Sequence, residues 1–229
     1  MNRLLRPVAT SLVLLPAVAL VAACGSGSNG IEKLSGAQAL KKVQAATRSV
    51  QWVHVKGRLD QGAGHTVQID LHLGDGKAVG TATVGNGTLD VRLLNGLVYF
   101  RGNAAAFSAL GASSAETASV AGKWLKSDAT TGPFAGLSAF RDLHSAFQAL
   151  LRPSGKLEAG PVTTINGQKV ATIIEVSDGS KLYVADTGQP LPVRIERSGA
   201  QSGRIDFTDY GKAVSVQAPP NAIDLNQAG

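Results

Sequence analysis

The stretch Thr66-Val67-Gln68-Ile69-Asp70-Leu71-His72-Leu73 decides the fold. Successive side chains of an extended chain point to opposite sides. Val67, Ile69, Leu71 and Leu73 therefore share one face, and Gln68, Asp70 and His72 share the other. Gly74-Asp75-Gly76 follows, a sequence that accepts positive φ and so turns the chain tightly back on itself. The pattern spreads in both directions. Upstream, Trp52 to Leu59 sets Val53, Val55 and Leu59 against His54, Lys56 and Arg58. Downstream come Lys77 to Val84, then Thr88 to Leu94 with Leu89, Val91 and Leu93 against Asp90 and Arg92, then a short aromatic run from Leu97 to Arg101. Gly85-Asn86-Gly87 and Asn95-Gly96 separate them. Short turns enforce sequential antiparallel pairing, and strict alternation means one apolar face and one wet face.

Helices frame this meander. Ser35 with Gln38 is a capping box, and Leu40 and Val43 lie on the apolar stripe of a helix expected over 36–48. Asn103 to Ala121, rich in Ala and Ser, reads as one or two short helices, and Gly122 to Lys126 as a short strand. Ser138 is placed to cap a helix whose stripe is Phe140, Leu143, Phe147, Leu150 and Leu151, stopped by Pro153. The meander resumes from Leu157. Lys169 to Val176 aligns Val170, Thr172, Ile174 and Val176. Lys181 to Ala185 follows, then Leu191 to Arg197 with Leu191, Val193 and Ile195 aligned, then Gly203 to Tyr210. Ala213 to Gln217 reads as a last short strand. The expected class is α+β: an antiparallel sheet of about 10–11 strands, an N-terminal helix, and a central helical insertion lying over the apolar face of a curved sheet.

The N-terminus carries a different message. Arg3 and Arg6 precede an apolar run from Val8 to Ala23 that is short for a membrane span. The run ends at Val21-Ala22-Ala23-Cys24, and Cys24 is the sole cysteine of the 229-residue chain. These four residues resemble the lipobox of bacterial lipoprotein signals. The resemblance implies diacylglyceryl attachment to Cys24, cleavage before it, and a protein held on the extracytoplasmic side of the cell membrane by lipid. The expected divisions are a signal peptide at 1–23, a flexible tether at 24–34, one domain at 35–217 and a loosely ordered tail at 218–229. A ten-residue tether reaches roughly 35 Å when extended. The net charge of +6 falls to +4 once the two signal arginines are removed. That excess is mild and dispersed, and no cluster of basic and aromatic residues marks a nucleic-acid surface.

Catalytic signatures are missing. The chain contains no G-x-S-x-G elbow, H-E-x-x-H, P-loop or C-x-x-C motif, so no enzyme activity, metal or cofactor is expected. Gly25-Ser26-Gly27-Ser28-Asn29-Gly30 formally matches G-x-G-x-x-G, yet no strand precedes it and no βαβ pattern surrounds it. His54, His65, His72 and His144 are scattered. His65 and His72, with Asp70 nearby, are the one metal-like grouping, and polar residues on a wet face account for them as well.

Tyr99-Phe100-Arg101 ahead of the insertion, Gly122-Lys123-Trp124-Leu125, Leu182-Tyr183-Val184-Ala185-Asp186 running through Gly188-Gln189-Pro190-Leu191-Pro192 into Val193-Arg194-Ile195, and the closing Asp206-Phe207-Thr208-Asp209-Tyr210-Gly211 together resemble the LolA/LolB and LppX/LprG family of lipid and lipoprotein carriers. The resemblance spans most of 35–217. It implies a strongly curved half-barrel whose mouth is covered by the inserted helices, binding a lipid, glycolipid or acyl group for carriage or presentation. The residues expected to line such a cavity are Val53, Val55, Val67, Ile69, Leu71, Leu89, Val91, Leu93, Phe134, Phe140, Leu143, Phe147, Ile174, Val193 and Ile195, with the helices around 134–151 as its lid. The alternative is an envelope sensor or scaffold with a filled core that binds a protein partner.

Overall fold

The computed structural model describes residues 27–60, 66–130, 142–199 and 202–227. Cys24, His65, Phe134, Ser138 and Phe140 lie outside them. Thirteen strands form one curved, unclosed sheet. They are β1 (Trp52–Asp60), β2 (Thr66–Gly74), β3 (Lys77–Val84), β4 (Gly87–Leu94), β5 (Leu97–Gly102), β6 (Leu125–Asp128), β7 (Leu157–Ala159), β8 (Thr163–Ile165), β9 (Gln168–Glu175), β10 (Lys181–Ala185), β11 (Pro192–Arg197), β12 (Gly203–Thr208) and β13 (Ile223–Asp224). The order is β13-β6-β5-β4-β3-β2-β1-β12-β11-β10-β9-β7, with β8 also on β9. Every pair is antiparallel except β13 on β6. The α+β half-barrel expected from alternation and resemblance is the architecture found. The strand count rises because three strands of two or three residues are too short to leave a pattern.

Among the described residues, the apolar face carries four helices: α1 (Gly36–Thr47), α2 (Ala104–Ala109), α3 (Ser114–Val120) and α4 (Leu143–Leu150). The Ser35–Gln38 capping box forms as read, and Ser113 with Glu116 forms a second one. The described part of the last helix starts at Leu143 with Asp142 as its cap. Val43 of α1, Phe107 of α2, and Leu143 and Phe147 of α4 enter one core with Val53, Val55, Leu71, Leu73, Leu89, Val91, Leu93, Ile195, Ile205 and Phe207. Phe147 meets Phe207 at a ring separation of 6.0 Å.

Two glycines let the sheet bend. Gly57 of β1 pairs with Ile205 and Ile69 on the inner side, and a Cβ there would come within 2.4 Å of the Arg204 carbonyl oxygen. Gly80 of β3 has φ +153°, and its Cβ would sit 2.0 Å from the Asp70 carbonyl oxygen. Both strands approach a neighbouring backbone closer than any side chain allows.

The wet face is a charge ladder. Arg194, Asp206, Lys56, Asp70, Thr81, Asp90 and Arg101 stand directly opposite one another on consecutive strands. Opposite charges meet at Arg194–Asp206, at Lys56–Asp70 (2.8 Å) and at Arg101–Asp90 (2.6 Å). One row over, His54 and His72 stack with centroids 4.3 Å apart, and His54 Nε2 is 2.6 Å from Asp70 Oδ1. No group of three metal-ligating side chains occurs among the described residues.

Both expected terminal segments are corrected. Residues 28–34, read as tether, pack on the sheet, where Ile31 is 1 % exposed. The Asn29 backbone N–H donates to the Asp186 carbonyl (2.7 Å), and its Nδ2 donates to the carbonyls of Ala185 (2.9 Å) and Gly188 (3.1 Å). Ser28 Oγ lies 3.2 Å from Asp186 Oδ1. Asp186 is fully buried and pairs at 2.9 Å with Lys169 Nζ, which holds its carboxyl below the usual range. At the other end, Ala213–Gln217 forms no strand. Its residues run over the wet face, where Arg92 Nη1 donates to the Gln217 carbonyl (2.8 Å), and the chain then enters β13 beside β6. The polar backbone groups at 213–217 serve a crossing, which alternation alone does not distinguish from a strand.

Gly80→Ala is expected to lower stability by more than about 1 kcal/mol, because positive φ and backbone contact oppose it together; a lower urea midpoint at unchanged slope is the measurement. Asp186 has a folded value below its ordinary 3.8, so its contribution is complete above that pH and is lost as pH falls through the folded value. Protection of the Asn29 amide, measured against its intrinsic exchange rate at each pH, is accordingly expected to fall as pH drops below 3.8 in the wild type, and to be low at every pH in Asp186→Asn.

Candidate functional site

The cleft between the sheet and the helices is lined by residues of α1, α4, β7, β9, β10 and β11. Leu40 comes from α1, Leu150 from the last turn of α4 with Leu151 just beyond it, and Ile173, Leu182 and Ile195 from β9, β10 and β11. These three strand residues face inward together: Leu182 pairs with Ile173 on one side and with Ile195 on the other. The capping box at Ser35 sets where α1 begins, and so brings Leu40 over this part of the sheet. Pro153 ends α4, and the chain continues through Ser154 along the edge of the cleft.

The cleft has a volume of about 150 Å3. That is several times the roughly 30 Å3 share of one water and below the roughly 300–1,000 Å3 of pockets that enclose whole small ligands. Its floor is apolar and its rim is charged. Arg152, Lys181 and Arg197 stand there with Glu175 and Asp178. The acids are engaged by uncharged local donors. Glu175 Oε1 accepts from the Ser154 backbone N–H (2.6 Å) and from its hydroxyl. Asp178 Oδ1 accepts from the Ser180 backbone N–H (2.8 Å), which with the Ser180 hydroxyl and the nearby Arg197 holds its carboxyl below the usual range. No carboxylate forms an ion pair with Arg152 or Lys181 among the described residues.

Of the described residues expected to line a cavity, Ile195 alone borders this cleft. Val53, Val55, Leu71, Leu89, Val91, Leu93, Leu143 and Phe147 are in the packed core, each at most 5 % exposed, and Ile69 packs at its margin. Val67 is half-buried and outside that cluster. Phe134 and Phe140 lie outside the described residues. Ile174 and Val193 are corrections. Ala171 and Ile173 belong to the main core, so Val170, Thr172 and Ile174 point to the opposite side. The register of β10 on β11 shifts between Tyr183 and Val184, where Val184 pairs with Pro192, and this bulge turns Val193 outward. Val193 instead joins Ile165, Val170 and Ala185, with Tyr183 at the margin, in a small second cluster. A bulge leaves no trace in hydrophobic periodicity, and a strand buried on both faces gives no alternation to read. Leu40, Leu150 and Leu151 are legible as helix-stripe residues; nothing in the local pattern marks Ile173 and Leu182 as facing inward.

A larger groove, about 680 Å3, runs over the wet face between Lys56, Arg58, Asp70, Thr81, Thr83, Arg204 and Asp206. Its walls are the charge ladder, whose members are largely paired with one another.

No protein-family model matches the chain, and no curated protein is similar to it in sequence. Solved structures are similar in fold. The Mycobacterium tuberculosis lipoprotein LppX aligns with a TM-score of 0.52 at 17 % identity, over 78 % of this chain and 96 % of that one. LprF from Mycobacterium bovis aligns with a TM-score of 0.53 at 16 % identity, over 85 % and 99 %. The chain therefore has the half-barrel fold of LppX/LprG-type lipoproteins.

Ile173→Ala is expected to cost about 2–5 kcal/mol, and Ile174→Ala clearly less. Chemical unfolding of the two variants checks the face assignment; the alignment of Ile174 with the apolar face that the sequence suggested demands the reverse order.

Proposed function

We propose that the mature protein is a lipid-anchored extracytoplasmic lipoprotein that takes the acyl part of a lipid or glycolipid into the cleft between α1, α4 and strands β9 to β11, and carries or presents it without catalysis. The observation that carries this reading is the cleft itself, an apolar floor at the margin of an otherwise closely packed sheet–helix interface, rimmed by cations whose neighbouring acids are already engaged. Binding is passive. Each Å2 of apolar surface withdrawn from water contributes about 25 cal/mol, so a single chain segment seated on Leu40, Ile173, Leu182 and Ile195 binds without any specific polar partner. A carboxylate or phosphate at the head of that chain meets Arg152, Lys181 and Arg197 at the rim. The shared fold with the lipoproteins LppX and LprF supports the scaffold on which this happens, and Cys24 supplies the anchor.

The close packing of the apolar face favours a second reading on the same fold, an envelope scaffold with a filled core that binds a protein partner. One experiment separates them. The full chain is purified from membranes in detergent, its lipid extract is analysed by mass spectrometry, and uptake of a fluorescent fatty acid is titrated. The carrier reading expects bound lipid, saturable uptake, loss of uptake in Leu182→Trp, which fills the cleft, and weakened uptake in Lys181→Glu, which leaves the core untouched. Absence of both bound lipid and uptake in the wild type overturns it in favour of the scaffold.

A further inference from the structure

The anchored end and the open end of this domain are opposite ends of the same three strands. Ser28 and Asn29 are fastened at the end of β10 and the turn after it, to Ala185, Asp186 and Gly188. Lys169 at the start of β9 braces the same point through Asp186. The cleft opens at the other end, between Glu175 at the end of β9, Lys181 at the start of β10 and Arg197 at the end of β11. From Lys181 to Ala185 the chain advances four residues, about 13 Å along the strand.

Only Gly25, Ser26 and Gly27 separate Cys24 from the fastened Ser28. Four Cα steps span at most about 14 Å, well under half the reach of a tether that continued to residue 34. Acyl chains on Cys24 hold that residue at the headgroup level, so the point of fastening stays within this distance of the bilayer. The turn from Asp186 to Leu191 surrounds it. Thr187, Gly188, Gln189 and Pro190 there carry no charge, Lys169 is neutralised by Asp186, and the Glu32 carboxylate beside the fastening accepts from the Ser28 hydroxyl (2.6 Å), so the surface this end offers a lipid is mostly uncharged.

We propose that the bilayer carrying the Cys24 lipid docks against the Asp186–Leu191 end of the sheet, and that the apolar cleft consequently opens away from that bilayer. The proposal rests on the lipid-anchor part of the reading above and is independent of what the cleft binds. It changes what an anchored carrier does: cargo is exposed toward a lipid surface other than the one that holds the protein, and local loading from its own membrane requires the fastening at Ser28 and Asn29 to open.

The test uses the full acylated chain, with the mass of lipid on Cys24 verified on the intact protein. Thioether-linked Cys24 does not react with maleimide, so a fluorophore is placed at Gln189→Cys beside the fastened turn, or at Ser198→Cys beyond the mouth; both native side chains are exposed. Each labelled protein is reconstituted in phosphatidylcholine vesicles that carry a headgroup nitroxide lipid. The expected result is quenching several-fold stronger at position 189 than at 198. Inserting a Gly/Ser stretch of about twelve residues after Gly25 is expected to bring the two values together, because the longer coil no longer restricts approach. Equal quenching with the native tether, or stronger quenching at 198, overturns the orientation. Cys24 without acyl mass overturns both the anchor and the orientation. The expected quenching pattern in a protein that takes up no fatty acid refutes the carrier reading alone and leaves the orientation standing.

Discussion

A sheet this wide must bury one face without closing on itself, and most of the structure follows from how it does so. Alternation in β1 to β5 and in β12 sorts the chain into an apolar face and a wet face. The apolar face needs cover, and short helices from two separate places in the chain provide it: α1 from the start, α2 to α4 from the insertion between β5 and β7. Curvature makes that cover sufficient, because a bent sheet wraps its helices. The bend in turn requires that backbones approach where side chains would collide, and Gly57 and Gly80 stand at such places. The wet face bends too, and there cross-strand pairs of opposite charge replace packing as the organising contact.

An unclosed sheet also has two edges, each a row of unpaired backbone groups. The chain covers them with its own short segments. At one edge β7 and β8 pair with successive halves of β9. At the other, the segment after β12 crosses the wet face and lays β13 in parallel beside β6. Trp124, just before β6, is flanked by the guanidinium groups of Arg92 and Arg101 at 4.8 and 4.9 Å from its ring. Arg92 also holds the Gln217 carbonyl, so one side chain links the crossing segment to the strand it covers. The C-terminal residues are therefore structural, although their composition resembles a loose tail.

What the sequence reveals follows from which physical signal each element leaves. The strands from Trp52 to Leu94 are long, alternate cleanly and are joined by glycine turns, and their limits are legible to within a residue or so. The two-residue β13 and the three-residue β7 and β8 exist because an edge needs covering, a tertiary requirement with no local pattern. Residues 28–34 look like a polar tether by composition, yet Ile31 is in the core and Asn29 satisfies three backbone groups of the 185–188 turn. The site shows the same division. Leu40 and Leu151 follow from helical spacing. Ile173 is hidden in an apolar run that is buried on both faces, and Val193 is displaced by a bulge whose cause is the register between β10 and β11.

Ile174 and Val193 depart from simple inward alternation for one physical reason. β9, β10 and β11 are the strands where the sheet is apolar on both sides: inward to the main core and the cleft, outward to the small cluster of Ile165, Val170, Ala185 and Val193. That outer cluster stiffens the end of the strands to which Ser28 and Asn29 are fastened, and Asp186, buried beneath the fastening, ties it to β9 through Lys169. Among the described residues no second outer cluster of buried apolar side chains lies at the opposite end of the same strands, and long charged side chains stand at its rim. A domain built this way is firm where Ser28 and Asn29 are fastened and open where its apolar cleft meets solvent. On the reading proposed above, an apolar ligand exchanges at the end with the least tertiary restraint, and the tether pulls on the end with the most.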